Sequence, residues 1–119
     1  MEADIKLKSV YEPASAEDGL RILVDRLWPR GMTKERVAAE YWARSIAPSN
    51  ELRKWYGHEP AKWDEFRQRY AGELDANPDG VMELLPYLDA DVVTFIYSSK
   101  EQRLNNAAAL REYLLQRMP

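Results

Sequence analysis

The run Val92-Val93-Thr94-Phe95-Ile96-Tyr97 restricts the fold more than any other segment, because it is β-branched or aromatic throughout with no polar alternation. A strand of this kind needs cover on both faces, so it belongs at the centre of a sheet. Ile22-Leu23-Val24 is a second short apolar run, set between Gly19 and the charged pair Asp25-Arg26, and it reads as an interior strand over Leu20 to Arg26. Strands covered on both faces, with helices between and after them, imply parallel pairing, since crossover helices supply the cover. The expected fold is a small open α/β domain in two or three layers, with a mostly parallel sheet flanked by helices. At 119 residues the chain fits one such domain over 1–119, large enough to bury a continuous core without disulfides or a structural metal.

The remaining elements follow from local signals. Ile5 and Leu7 alternate with Lys6 and Lys8, as in a half-exposed edge strand ending near Tyr11. Thr33 caps a short helix from about Lys34, and Ser49 caps another that Gly57 ends. Trp42 to Ile46 reads equally as strand or helix and stops at Pro48. Pro60 opens the clearest amphipathic helix, with Trp63, Phe66, Tyr70 and Leu74 on one stripe. Asn77-Pro78 starts a further helix that Pro86 kinks or ends, and a last helix runs from about Gln102 to Gln116.

Composition removes several classes of function. With 45% hydrophobic and 31% charged residues, the chain is that of a folded globular protein. No apolar run is long enough to span a bilayer, and the opening Met1-Glu2-Ala3-Asp4 is acidic where a signal peptide is basic, so the expected location is cytoplasmic with no membrane partner. The absence of cysteine excludes a thiolate nucleophile and a Cys-based zinc site, and His58 is the lone histidine, so no two-histidine metal site exists. Neither a Walker loop nor a Rossmann glycine fingerprint is present. No metal and no cofactor is expected.

Charge is distributed unevenly. Residues 21–69 carry eleven Lys/Arg against seven Asp/Glu, about +4, leaving about −7 on the rest of a chain whose formal net charge is −3. Trp28, Trp42, Trp55, Trp63 and His58 all fall within that basic segment. In open α/β sheets ligands bind at the carboxyl ends of strands, which here are Asp25-Arg26 with the following loop and Ser98-Ser99-Lys100.

The loop Asp25-Arg26-Leu27-Trp28-Pro29-Arg30-Gly31 places one carboxylate and two guanidiniums within a turn. Arginine forks suit phosphate or carboxylate, and a neighbouring tryptophan can stack on a ring; internal pairing of Asp25 and core packing of Trp28 are the structural alternative. Ser98, Ser99 and Lys100 can hold an anion between strand and helix, although helix capping accounts for the serines equally. Arg53, Trp55, Tyr56 and His58 form a second polar and aromatic cluster, in which His58 is the ready-made general base, with a surface or capping role as the alternative. Asn105 and Asn106 fall early in the last helix, where they can point at the same strand end. Catalytic candidates are thus His58 and Asp25; ligand-binding candidates are Arg26, Trp28, Arg30, Arg53, Ser98, Ser99, Lys100 and Asn105.

The blocks DGLRILVDRLWPRGMTKE, IAPSNELRKWYGHEPAKWDEFRQRYAGEL and VTFIYSSKEQRLNNAAAL resemble the signature blocks of the YeaO-like family, a domain of unknown function numbered 488, in order and spacing over nearly the whole chain. The resemblance implies a small cytoplasmic α/β protein of bacterial and archaeal type and brings no established activity, substrate or cofactor. It marks Asp25, Arg26, Trp28, Arg30, Arg53, His58, Lys100 and Asn105 among the family-typical positions. Relatives often carry a histidine just before the asparagine where this chain has Leu104, which argues against a mechanism needing two histidines.

Three functions compete at this point. A pocket for a small phosphate- or carboxylate-bearing ligand, with or without catalysis, requires the arginines to meet in one concavity. A protein-interaction module requires the Trp and Arg residues to form an exposed patch. A single-stranded nucleic-acid module requires a flat basic stripe, against which a pI near 5.2 counts.

Overall fold

The computed structural model describes residues 3–117; the Met1-Glu2 part of the acidic opening lies outside them. Four strands form one sheet in the order β1-β4-β2-β3, all parallel: β1 is Asp4–Ser9, β2 Leu20–Leu23, β3 Tyr41–Trp42 and β4 Val92–Tyr97. β4 is central, as its composition requires, pairing with β1 from Asp4↔Val92 to Ser9↔Tyr97 and with β2 from Leu20↔Val93 to Leu23↔Ile96. β1 lies at an edge, with Lys6 and Lys8 in the alternating places that discourage further pairing.

The side-chain period of two divides the core. Ile22, Val24, Val93, Phe95 and Tyr97 enter the larger cluster with Leu52, Tyr56, Phe66, Tyr70, Leu84, Leu110 and Leu114. Leu23 and Ile96 enter a smaller one with Val10, Met32 and Val37. The helices are therefore shared unequally. α2 (Asn50–Tyr56), α3 (Trp63–Asp75), α4 (Pro78–Leu84) and α5 (Asn106–Arg117) supply the larger cluster, whereas four-residue α1 (Lys34–Val37) and loop segments cover the other face. That face carries one short crossover helix, α1, and is completed by a buried ion pair, Arg21 Nη1 to Asp18 Oδ2 at 2.6 Å. The Arg21 guanidinium also donates to the Val37 carbonyl from Nε and Nη2, and Thr94 Oγ1 donates to the Asp18 carbonyl, so this charged filling is hydrogen-bonded as burial demands.

Helix boundaries follow the capping signals. Thr33 and Ser49 accept the N–H groups of Arg36 and Leu52, and Gly57 ends α2 in the left-handed region. Pro60 begins a 3-10 turn over Pro60–Lys62 that leads into α3, and Pro86 sits in the 3-10 turn Leu85–Leu88 that finishes α4. The ambiguous stretch from Trp42 to Ile46 is both things in sequence: β3 ends at Trp42, and a 3-10 turn covers Arg44–Ile46.

The last helix differs from expectation, starting at Asn106 rather than Gln102. Glu101 Oε1 accepts the N–H groups of Arg103 and Leu104, and Asn105 Oδ1 accepts that of Ala108, so side chains take the bonds an earlier helical start would have used. No helix among the described residues is long and apolar enough to cross a membrane.

Candidate functional site

One cavity of about 320 Å³ opens at the carboxyl ends of β2 and β4. It lies where open parallel sheets place their ligands. The strand ends supply Asp25, Arg26, Leu27, Trp28 and Arg30, with Ser98 and Ser99; α2 and its exit turn supply Arg53, Tyr56 and His58. Asn106 joins from the start of α5, and Tyr11 from beyond the end of β1.

Asp25 holds these parts together. Its Oδ2 accepts the backbone N–H and the hydroxyl of Ser98, and its Oδ1 accepts the Asn106 amide at 3.1 Å. Asn106 also donates to the Val24 carbonyl, so the start of α5 is tied to the end of β2 twice. With three of its acceptor sites used, Asp25 is a structural anchor that adds one negative charge to the cavity wall.

Three guanidiniums line the same cavity. Arg26 is half-buried and donates from Nε to the Pro48 carbonyl at 3.1 Å and from Nη2 to that of Ala47 at 2.8 Å, which fixes its plane; it makes no ion pair among the described residues. Arg30 and Arg53 are exposed, and neither makes an ion pair among the described residues. Arg53 Nη2 rests on Asn50 Oδ1 at 3.3 Å. The loop that carries Arg26 and Arg30 is shaped by buried Pro29 and by Gly31, whose φ of +76° suits glycine.

The aromatic wall is equally constrained. Trp28 Nε1 donates to the Met32 carbonyl and Trp42 Nε1 to that of Asp25, each at 2.7 Å, and the two indoles meet edge to face with centroids 5.4 Å apart. Tyr56 and Phe66 stack at 4.3 Å and form the apolar floor. The Tyr56 hydroxyl donates to the Leu104 carbonyl at 2.6 Å; burial, with the charge of Glu101 added, pushes its phenol up.

His58 is exposed and sits at φ +57°, a left-handed conformation uncommon for a residue with a Cβ. No hydrogen bond orients its ring among the described residues; its nearest aromatic neighbour is Tyr56, at 5.6 Å. Glu101 is close enough for His58 to affect it: N–H groups of Arg103 and then Leu104 hold its carboxyl below the usual range, and the charge of His58 acts in the same direction.

Of the ten residues singled out from the sequence, the structure brings Asp25, Arg26, Trp28, Arg30, Arg53, His58, Ser98 and Ser99 to this cavity. Lys100 is exposed outside it, and Asn105 is fully buried as the cap of α5, its amide donating to the Glu101 carbonyl. The neighbouring Asn106 lines the cavity instead. Tyr11 and Leu27 escaped sequence reasoning; in Leu27 an exposed leucine inside a charged loop was the available signal.

Comparison with known proteins identifies the family. The chain is 40% identical over 111 residues to the uncharacterized protein YeaO of Escherichia coli (strain K12), covering 93% of this chain and 96% of that one. It is 37% identical over 113 residues to an uncharacterized protein of Mycobacterium tuberculosis (strain ATCC 25618 / H37Rv), covering 95% of each chain. No solved structure matches it. A family model described as the inactive DUF488-N3 subclade matches residues 4–119, and the chain belongs to that family.

Proposed function

We propose that this protein binds a small anion, bearing phosphate or carboxylate, in the cavity at the carboxyl ends of β2 and β4, and that it binds without catalysing a reaction. The observation that carries the reading is the presence of Arg26, Arg30 and Arg53 around one cavity whose lone carboxylate, Asp25, is already hydrogen-bonded. Guanidiniums with free N–H groups in a concave site are suited to oxyanions.

Two features favour binding over turnover. Asp25 has little acceptor capacity left to take a proton from a substrate, and among the described residues no hydrogen bond holds His58 in one orientation, as a general base requires. The description of the matching family as inactive is consistent with that reading. A cysteine-free chain suits a reducing compartment, and we place the protein in the cytoplasm.

The test is a thermal-shift screen of the purified protein against phosphorylated metabolites, organic acids and short single-stranded oligonucleotides, with Arg30→Ala as control. A ligand at one hundred times its dissociation constant adds about 2.7 kcal/mol, a readable shift for a domain of this size. The expected result is a shift by one small-anion class that Arg30→Ala abolishes. A protein-interaction role is the second reading, favoured by the exposed Tyr11, Leu27 and Trp28 at the rim. Absence of a shift with any anion, together with a stable oligomer in solution, would replace the first reading with the second.

A further inference from the structure

The aromatic rim of the cavity narrows the ligand. Tyr11, Leu27 and Trp28 are three of the five large hydrophobic side chains exposed among the described residues, and all three line this one cavity. Scattered exposed apolar residues need no explanation, but three collected beside three arginines do.

The polar ends of both aromatic residues are already occupied. Trp28 spends its indole N–H on the Met32 carbonyl, and Tyr11 donates its hydroxyl to the Arg30 carbonyl at 3.1 Å. What each offers an anionic ligand is therefore a ring face, not a hydrogen-bond donor. Trp28 is also held edge to face by Trp42, which is itself tied to Asp25, so its exposed side is a platform set in place before any ligand arrives. The bond from Tyr11 to Arg30 links this platform to the residue that carries one of the cations.

Charge sets the other half of the ligand. Three guanidiniums against one carboxylate leave the cavity wall at about +2 without counting His58. A phosphate monoester carries about −1.5 to −2 at neutral pH, against −1 for a carboxylate, and matches that balance more closely. The volume of about 320 Å³ is near the bottom of the range of about 300–1,000 Å³ for small-molecule sites, room for one ring and one phosphate.

We infer that the cavity takes a phosphate monoester of a planar ring, its phosphate among Arg26, Arg30 and Arg53 and its ring against Trp28. This rests on the anion-binding reading above and names the ligand class for it.

Calorimetric titration with inorganic phosphate, methyl phosphate, phenyl phosphate and benzoate tests both halves. Stacking on an aromatic side chain is expected to make phenyl phosphate bind at least about fivefold tighter than methyl phosphate. Trp28→Ala should bring phenyl phosphate down to the affinity of methyl phosphate for the same variant, and Arg30→Ala should weaken both esters. If Trp28→Ala does not fold, the wild type answers the same question by NMR: the ring protons of phenyl phosphate should shift upfield on binding under the indole ring current. Equal binding of the two esters, or ring protons that do not move, overturns the ring assignment and leaves anion binding standing. Benzoate binding as tightly as phenyl phosphate overturns the phosphate assignment. Binding by none of the four probes overturns the inference, and if the wider anion screen is silent as well, the reading beneath it falls too.

Discussion

Asp25 Oδ2 accepts both the backbone N–H and the hydroxyl of Ser98, at 2.8 and 2.6 Å, joining the carboxyl ends of two neighbouring strands at the mouth of the cavity. The same carboxylate receives the first residue of α5 through Asn106, so three elements meet on one side chain. Asp25→Ala leaves the Ser98 N–H and hydroxyl without their acceptor and the Asn106 amide with the Val24 carbonyl alone, and hydrogen bonds to a charged group are worth about 1.5–3 kcal/mol each. We expect a loss of about 3 kcal/mol in urea unfolding, and a smaller loss for Asp25→Asn, which keeps one acceptor oxygen. A loss within about 0.5 kcal/mol for Asp25→Ala would mean that the anchor is dispensable.

The left-handed conformation of His58 separates stability from binding. A side chain at positive φ costs roughly 1–2 kcal/mol, which glycine avoids at the expense of about 0.5–1 kcal/mol of extra chain entropy on folding. His58→Gly is therefore expected to leave the protein as stable as the wild type or up to about 1 kcal/mol more stable. Its affinity for the small anion found in the screen should fall. Loss of stability with affinity intact would assign His58 a purely structural role.

Gly19 and Gly31 share positive φ but not surroundings. A Cβ on Gly19 would stand 2.2 Å from the Val92 carbonyl oxygen, a backbone atom of the central strand, whereas a Cβ on Gly31 would meet nothing within 4 Å. Gly31→Ala should cost only its conformational penalty, about 1–2 kcal/mol. Gly19→Ala should cost well beyond that or prevent folding, because relief requires β2 and β4 to separate. Far-ultraviolet circular dichroism with thermal melts of both variants distinguishes these outcomes; equal Tm values would contradict the account.

Acid sensitivity should trace to Asp18. Burial by itself would raise its pKa, but hydrogen bonds from Lys8, the Ser15 N–H and Arg21 outweigh burial and hold the carboxyl below its ordinary 3.8. A depressed folded value means that Asp18 contributes its stability in full above the ordinary carboxylate range and loses it as pH falls through the folded pKa. Unfolding free energy should therefore decline below about pH 4, and Asp18→Asn should lower the neutral plateau and flatten that decline. An acid limb of unchanged slope in Asp18→Asn would assign the decline to other carboxylates.

Much of the secondary structure was legible because its signals are local. β4 follows from the composition of Val92 to Tyr97, the helix starts from Thr33, Ser49 and Pro60, and the end of α2 from Gly57. The late start of α5 was not legible, since it depends on Glu101 and Asn105 closing hydrogen bonds that an unbroken helical pattern conceals. Most of the candidate site was also legible, because strand ends in a parallel sheet collect at one edge and the charged residues there are conspicuous. Lys100 and Asn105 show the limit of that rule: position after a strand does not settle where a side chain points.

The sequence by itself determined the fold class, the central strand and the concentration of cations and tryptophans in residues 21–69, because composition, periodicity and capping act over a few neighbouring residues. Tertiary structure alone decided that Asp25 meets Ser98 and Asn106, that Tyr11 ties to Arg30, and that a buried Arg21–Asp18 pair rather than a second helical layer closes the far face. The first of these contacts spans 73 residues of chain and exists only once β2 and β4 have paired. Its partners carry no local mark of one another, since the sheet, not the neighbouring sequence, brings them within hydrogen-bonding distance.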